Sequence, residues 1–197
     1  ACYPEGHPEA ATIFEDLDHL KEKVDAGCEY LTTQMFFDNN IYYRFLYKAL
    51  AKGIDVPVTA GIMPVTNVAQ VKRTISLTGN LVPAKFLSIV DRFGDNPAAM
   101  KQAGIAYATE QIIDLIANGV NHIHIYSMNK PDVAAGIQRN ISEILKAWDN
   151  ERKWANTLTD EKDVLLSKSE NSTSFYVELR KEAELMGDVR RTGFVNA

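Results

Sequence analysis

The strongest constraint on this chain is an alternation that runs from residue 1 to about 146. Short β-branched or aromatic runs are each followed by a polar loop and then a helical pattern. The apolar runs fall near 1–3, at Tyr30-Leu31-Thr32-Thr33-Gln34-Met35-Phe36-Phe37, at Val56–Ile62 and at Val120–Tyr126. Helical spacing predicts helices over about 11–26, 40–52, 67–77, 86–93, 96–118 and 130–147. Asp38-Asn39 and Asn96-Pro97 serve as start signals, and Gly27, Gly53 and Gly119 as stops. Strand–helix order repeated in this way predicts an α/β fold with a parallel sheet and helical crossovers, here four strand–helix units. In such sheets the loops after the strands line the ligand site, and these are Glu5–Glu9, Gln34–Asn40, Pro64–Gln70 and Asn129–Asp132.

Composition removes several function classes. Apolar residues make up 46% and charged residues 24% of 197, ordinary globular values that exclude disorder and collagen-like or coiled-coil chains. With 21 basic against 26 acidic residues the net charge is −5, a poor counterion for nucleic acid. No apolar run approaches the roughly 18 residues of a membrane helix, so neither nucleic acid nor membrane is expected as a partner. Cys2 and Cys28 form neither a disulfide framework nor a CxxC pair, and no secretory signal opens the chain, so a reduced, cytoplasmic setting is expected. No Gly-x-Gly-x-x-Gly follows a strand, which argues against a Rossmann dinucleotide site, and there is no P-loop. From 148 to 197 the character changes. A polar break spans Ser167–Ser174, Phe175–Met186 reads as a helix stopped by Gly187, and no function is assigned to this tail.

Several residue groups carry chemistry. His122 and His124 share one strand face, which suggests either a metal pair or imidazoles that line an interior and bond locally. Zinc wants three or four ligands, and only His7 and His19 remain, so no metal is expected. Tyr3, Glu5, His7 and Glu9 lie on a proline-stiffened loop that is either solvated or ligand-bearing. Asp16, His19 and Lys23 share a helix face, which on its own reads as a solvated charged face. Gln34 ends an apolar strand, where its amide must bond either neighbouring backbone or a ligand.

At this point the residues match a family. Tyr3-Pro4-Glu5-Gly6-His7-Pro8-Glu9-Ala10, Leu20–Gly27 and Thr33-Gln34-Met35-Phe36-Phe37-Asp38 resemble methylenetetrahydrofolate reductase. Gly53-Ile54, Ala60–Val65 and His124-Ile125-Tyr126-Ser127-Met128-Asn129 resemble the same family in the same order, so the likeness covers about residues 1–146.

The resemblance implies the carboxy-terminal half of a (β/α)8 TIM barrel over residues 1–147, followed by a partly helical tail over 148–197. It implies FAD as cofactor and reduction of 5,10-methylenetetrahydrofolate to 5-methyltetrahydrofolate by NADH or NADPH, in the one-carbon metabolism that feeds methionine synthesis. Tyr3, His7, Ala10, Asp16, His19 and Lys23 fall at cofactor-binding positions. His19 and Glu22 stand where well-known bacterial members carry Asn and Arg. Gln34 falls at the position that reads the pterin, and Gln70 and Lys130 at further substrate positions. Lys130 replaces an Arg, keeping the charge and losing the bidentate fork. The family's general acid belongs to a half that precedes residue 1, so no catalytic residue is assigned, and the chain alone is expected to be nearly inactive. A half-barrel leaves two open parallel edges, so a homo-oligomer or a complementing half-barrel is expected. The alternative reading is a non-catalytic flavin-binding or oligomerising fragment that needs a partner chain.

Overall fold

The computed structural model describes residues 1–78, 81–156, 164–167 and 175–179. Helix α1 (Ile13–Asp25) is capped by Thr12, whose side chain accepts the Glu15 N–H. Strand β1 (Leu31–Thr32) leads into α2 (Asn39–Ala51), capped by Asp38. Strand β2 (Val58–Ile62) is followed by α3 (Val68–Thr78), α4 (Ala84–Phe93) and α5 (Pro97–Ala117). Asn96 caps α5 through the Ala98 and Ala99 N–H groups, with Pro97 in the first turn. Strand β3 (His122–Ile125) precedes α6 (Pro131–Asn156).

The three strands pair in parallel and in chain order, β1 with β2 and β2 with β3. Cys2 extends this order on the far side of β1 through a parallel bridge to Thr33. The Cys2 N–H donates to Thr32 O at 3.0 Å, and Gln34 N–H donates to Cys2 O at 2.7 Å. The strand expected near 1–3 is therefore a single bridge. The strand expected over 30–37 is regular over two residues only; backbone bonds to neighbouring segments continue through Thr33 and Gln34, and at Met35 the N–H donates instead to Gln34 Oε1.

The tail departs from expectation. Phe175–Leu179 is strand β5, not the start of a helix. It pairs antiparallel with β3 and also with β4 (Val164–Ser167), giving the sheet order β1-β2-β3-β5-β4. The run Phe175-Tyr176-Val177 is aromatic and β-branched, which suits a strand. The remainder of the expected helix, 180–186, and residues 168–174 of the polar break lie outside the described residues. One of the two edges expected to be open, that of β3, is thus covered by β5. Helix α6 also continues past Ala147 to Asn156, since no Gly or Pro interrupts it there.

The central core lies between the sheet and helices α2, α5 and α6. It contains Phe36, Tyr42, Ile62, Ile112, Leu115 and Ile137. The Tyr42 hydroxyl, buried with its ring, donates to Val58 O at 2.9 Å, which offsets the cost of desolvating it. A second cluster packs α1 under β1 through Leu17, Leu20, Leu31 and Phe45. A third gathers Phe37, Met63, Val65, Phe86 and Met100 beneath the loop that follows β2.

Two glycines permit the closest approaches. A Cβ at Gly61 would lie 2.4 Å from Thr33 O and 2.7 Å from Tyr126 Cε2. A Cβ at Gly104 would lie 1.8 Å from Val65 O, so α5 meets the post-β2 loop backbone to backbone. Gly136 in α6 is different, since its Cβ would meet only Ile105 methyl groups at 3.4 and 3.6 Å. Gly104→Ala should therefore lower the unfolding free energy by about 3 kcal/mol or more, the upper end of overpacking costs. Gly136→Ala should be neutral or stabilise by up to about 1 kcal/mol through helix propensity. Urea unfolding of both variants tests the contrast, and equal midpoints would contradict the packing described at residue 104.

Candidate functional site

The polar loops all leave the carboxyl ends of parallel segments: Tyr3–Ala10 after the Cys2 bridge, Gln34–Asp38 after β1, Pro64–Gln70 after β2 and Tyr126–Lys130 after β3. That end of a parallel sheet is where crossovers leave room for ligands.

The first loop is tied into one unit. The Tyr3 and His7 rings meet edge to face with centroids 4.5 Å apart. The His7 N–H donates to Asp16 Oδ2 at 3.1 Å, which fastens the loop to α1. The Ala10 N–H donates to His7 O at 3.0 Å. The Glu9 N–H donates to His7 Nδ1 at 3.2 Å, and a backbone N–H can only donate, so the ring offers Nε2–H. Tyr3, His7, Ala10 and Asp16 thus come together. His19 and Lys23 lie exposed further along α1. Lys23 and Asp16 are both close enough to Cys2 for their charges to act on its thiol, which burial pushes up to about 12.

Gln34 is half-buried, and its Oε1 accepts the Met35 N–H at 3.0 Å. The obligate donor fixes the amide, leaving Nε2 as the group it can offer elsewhere. The loops after β2 and β3 form a second unit. Gln70 Oε1 accepts from the Thr66 N–H at 2.9 Å, from Thr66 Oγ1 at 3.0 Å and from Asn67 Nδ2 at 3.1 Å. Lys130 Nζ donates to Thr66 Oγ1 at 2.8 Å. The residues before Lys130 make a tight left-handed turn, Met128 at φ 50° and Asn129 at φ 61°, closed by the Lys130 N–H on Ser127 O. Gln70 and Lys130 are therefore brought together, through Thr66.

His122 and His124 both lie in β3. His124 is buried, its ring 4.3 Å from that of Tyr126, and burial lowers its pKa. Tyr126 in turn donates to Thr33 O at 2.9 Å. Among the described residues no three His, Cys, Asp or Glu side chains converge as metal ligands. None of the described helices is long and apolar enough to cross a membrane.

Two residues gain a role that sequence reasoning did not give them. Thr66 carries no local signal beyond a hydroxyl four residues before Gln70. Glu5, expected as one carboxylate of a ligand loop, reaches across the fold. Its Oε2 accepts the Leu81 N–H at 2.8 Å, and its Oε1 is buried without a partner among the described residues. Burial raises the Glu5 pKa, the Leu81 bond opposes that, and the Asp38 charge adds to it. The folded state thus holds this proton more tightly than the unfolded chain. Stability should fall as pH rises from the ordinary carboxylate range through the raised value. Glu5→Gln keeps an acceptor for Leu81 without the charge. It should unfold at higher urea than the parent at neutral pH and lose that advantage in acid. A midpoint difference independent of pH would show that the Glu5 carboxyl is not destabilised by its setting.

Comparison with known proteins identifies the family. The profile of the family described as methylenetetrahydrofolate reductase matches residues 1–142. The 5,10-methylenetetrahydrofolate reductase of Escherichia coli (strain K12) is 37% identical over 137 residues, covering 70% of this chain and 46% of the relative. That of Pectobacterium carotovorum subsp. carotovorum is 36% identical over the same length, with the same coverage. Methylenetetrahydrofolate reductase (NADH) 1 of Arabidopsis thaliana is 33% identical over 153 residues, 73% of this chain and 26% of the relative. The chain spans about half the length of the bacterial relatives it matches and about a quarter of the plant one. A family profile that takes in all four post-strand loops settles the kinship, and the chain belongs to the methylenetetrahydrofolate reductase family.

Proposed function

We propose that this chain supplies part of the flavin and folate site of a methylenetetrahydrofolate reductase. The reaction is reduction of 5,10-methylenetetrahydrofolate to 5-methyltetrahydrofolate with electrons from NADH or NADPH. The observation that carries the reading is the gathering of the family's motif residues on loops at one end of a sequentially ordered parallel sheet. The same order supports a half-barrel over residues 1–147, with 148–197 as an appendage. Among the described residues the Cys2 segment has a neighbour only on its Thr33 side. That edge suits a second half-barrel, on another chain or another copy of this one.

The first loop fits FAD. Tyr3 and His7 offer a ring pair and an N–H, and Asp16 fixes the loop that carries them. Ala10 closes the turn through its N–H on His7 O, and His19 and Lys23 follow on α1 for the polar parts of the cofactor. Bound there, FAD supplies hydride-transfer chemistry that amino-acid side chains lack. The chain's own residues orient the reactants. Gln34 offers its Nε2–H to acceptors on the pterin edge, while Gln70 and Lys130 take the remainder of the folate.

The test separates the two half-reactions, using the chain completed by co-expression with the amino-terminal residues of a bacterial relative. Gln34→Glu keeps the size of the side chain and replaces the donor with an oxygen. Oxidation of reduced nicotinamide should stay within about threefold of the parent, while methylenetetrahydrofolate reduction should slow by about tenfold or more, the cost of an unmade buried hydrogen bond. Equal loss in both half-reactions at unchanged FAD content would contradict the pterin-reading role. No folate-dependent turnover in the parent complex would contradict the reading as a whole.

A further inference from the structure

We infer that Thr66 is a positioning residue that joins Lys130 to Gln70 and helps hold the Gln70 amide with its Nε2–H outward, so that the folate-facing pair presents only donors. The inference rests on the folate reading proposed above and adds to it a residue and a selectivity.

The polarity follows from groups that can only donate. The Thr66 backbone N–H faces one end of the Gln70 amide at 2.9 Å, so that end is Oε1. Lys130 Nζ has no acceptor capacity, so the Thr66 hydroxyl oxygen accepts from it at 2.8 Å and sends its own hydrogen to Gln70 Oε1. The Gln70 N–H donates to Asn67 Oδ1 at 2.9 Å, so the Asn67 amide nitrogen must be the atom facing Gln70 Oε1. Every bond in the network has one possible direction. Gln70 Nε2 has no acceptor among the described residues, and Gln70 and Lys130 are both half-buried rather than fully enclosed. Thr66 is only 6% exposed, and the Gly104 contact with Val65 O pins the backbone beside it.

An amide N–H and an ammonium joined through one hydroxyl match a carboxylate, which takes two donors and tolerates no acceptor opposite it. The pair should therefore distinguish a ligand carboxylate from its amide, and Thr66 should sharpen that distinction without touching the ligand. A valine at 66 keeps the shape and the backbone N–H, removes both hydroxyl bonds, and so unlinks Lys130 from the Gln70 amide.

The experiment follows the Gln70 side-chain amide by NMR in the full 15N-labelled chain. The probes are p-aminobenzoylglutamate and the same compound with both carboxylates amidated. The parent should show a saturable shift with the diacid and binding about tenfold weaker with the diamide. Thr66→Val should weaken diacid binding by about 3–10-fold, the loss of one hydrogen bond, and should narrow the preference over the diamide. Thr66→Ser should restore both to within about twofold. Gln70→Glu, which places an oxygen where Nε2 stood, should bind the diacid worst, and it keeps the proposal testable if Thr66→Val fails to fold. Unchanged binding in Thr66→Val, failure of Thr66→Ser to restore binding, or full diacid affinity in Gln70→Glu would each overturn the inference. No diacid binding by a parent chain that FAD still stabilises would overturn the inference alone. A parent that responds to neither would remove the flavin and folate reading together with it.

Discussion

Helix α5 reaches the loop after β2 only because residue 104 has no side chain. The Val65 carbonyl occupies the space a Cβ would need. That contact seats the longest described helix but one on the third core cluster and fixes the backbone on either side of Val65. The loop is then rigid where it carries Thr66, and through Thr66 it holds Gln70 on its own element and Lys130 from the loop after β3. Gly61 does the same one layer inward, allowing Thr33 and Tyr126 to close over β2. Small residues at the crossings let the backbone itself, stiffer than any side chain, define the geometry of the loops.

The polar groups at the carboxyl ends share a sign. His7 offers Nε2–H because its Nδ1 accepts from Glu9, Gln34 offers Nε2 because its Oε1 accepts from Met35, and Gln70 offers Nε2 because three donors converge on its Oε1. In each case a neighbouring backbone N–H takes up the acceptor. Such a surface suits ligands rich in oxygen and ring-nitrogen acceptors, which describes phosphates, carboxylates and pterin edges. Glu5 is one exception. Its partly buried carboxyl is destabilised as an anion and is anchored to Leu81 across 76 residues of chain.

Much of the fold was legible because local chemistry decides it. Asp38 and Asn96-Pro97 start helices by satisfying N–H groups within three residues, so their role is written in the sequence. The parallel order followed from strand–helix alternation alone. The tail was misread because Phe175-Tyr176-Val177-Glu178-Leu179 also fits a helical spacing, and the edge of β3 that makes it a strand lies 50 residues earlier in the chain. Within the site, family motifs pointed to Gln70 and Lys130, yet nothing local linked them. Their link is a hydroxyl on Thr66, 64 residues from Lys130, and only the folded chain reveals which atoms face each other. Glu5 escaped for the same reason, since its burial depends on a loop far along the chain.

The central claim, that the first loop and α1 form a flavin site, is tested most directly by melting the full chain in FAD, in riboflavin and in buffer. A ligand that binds only the folded state raises the melting temperature in proportion to its occupancy. The account predicts a rise with FAD, a smaller rise with riboflavin, and loss of most of the difference in His7→Ala. Identical melting in all three solutions would contradict it.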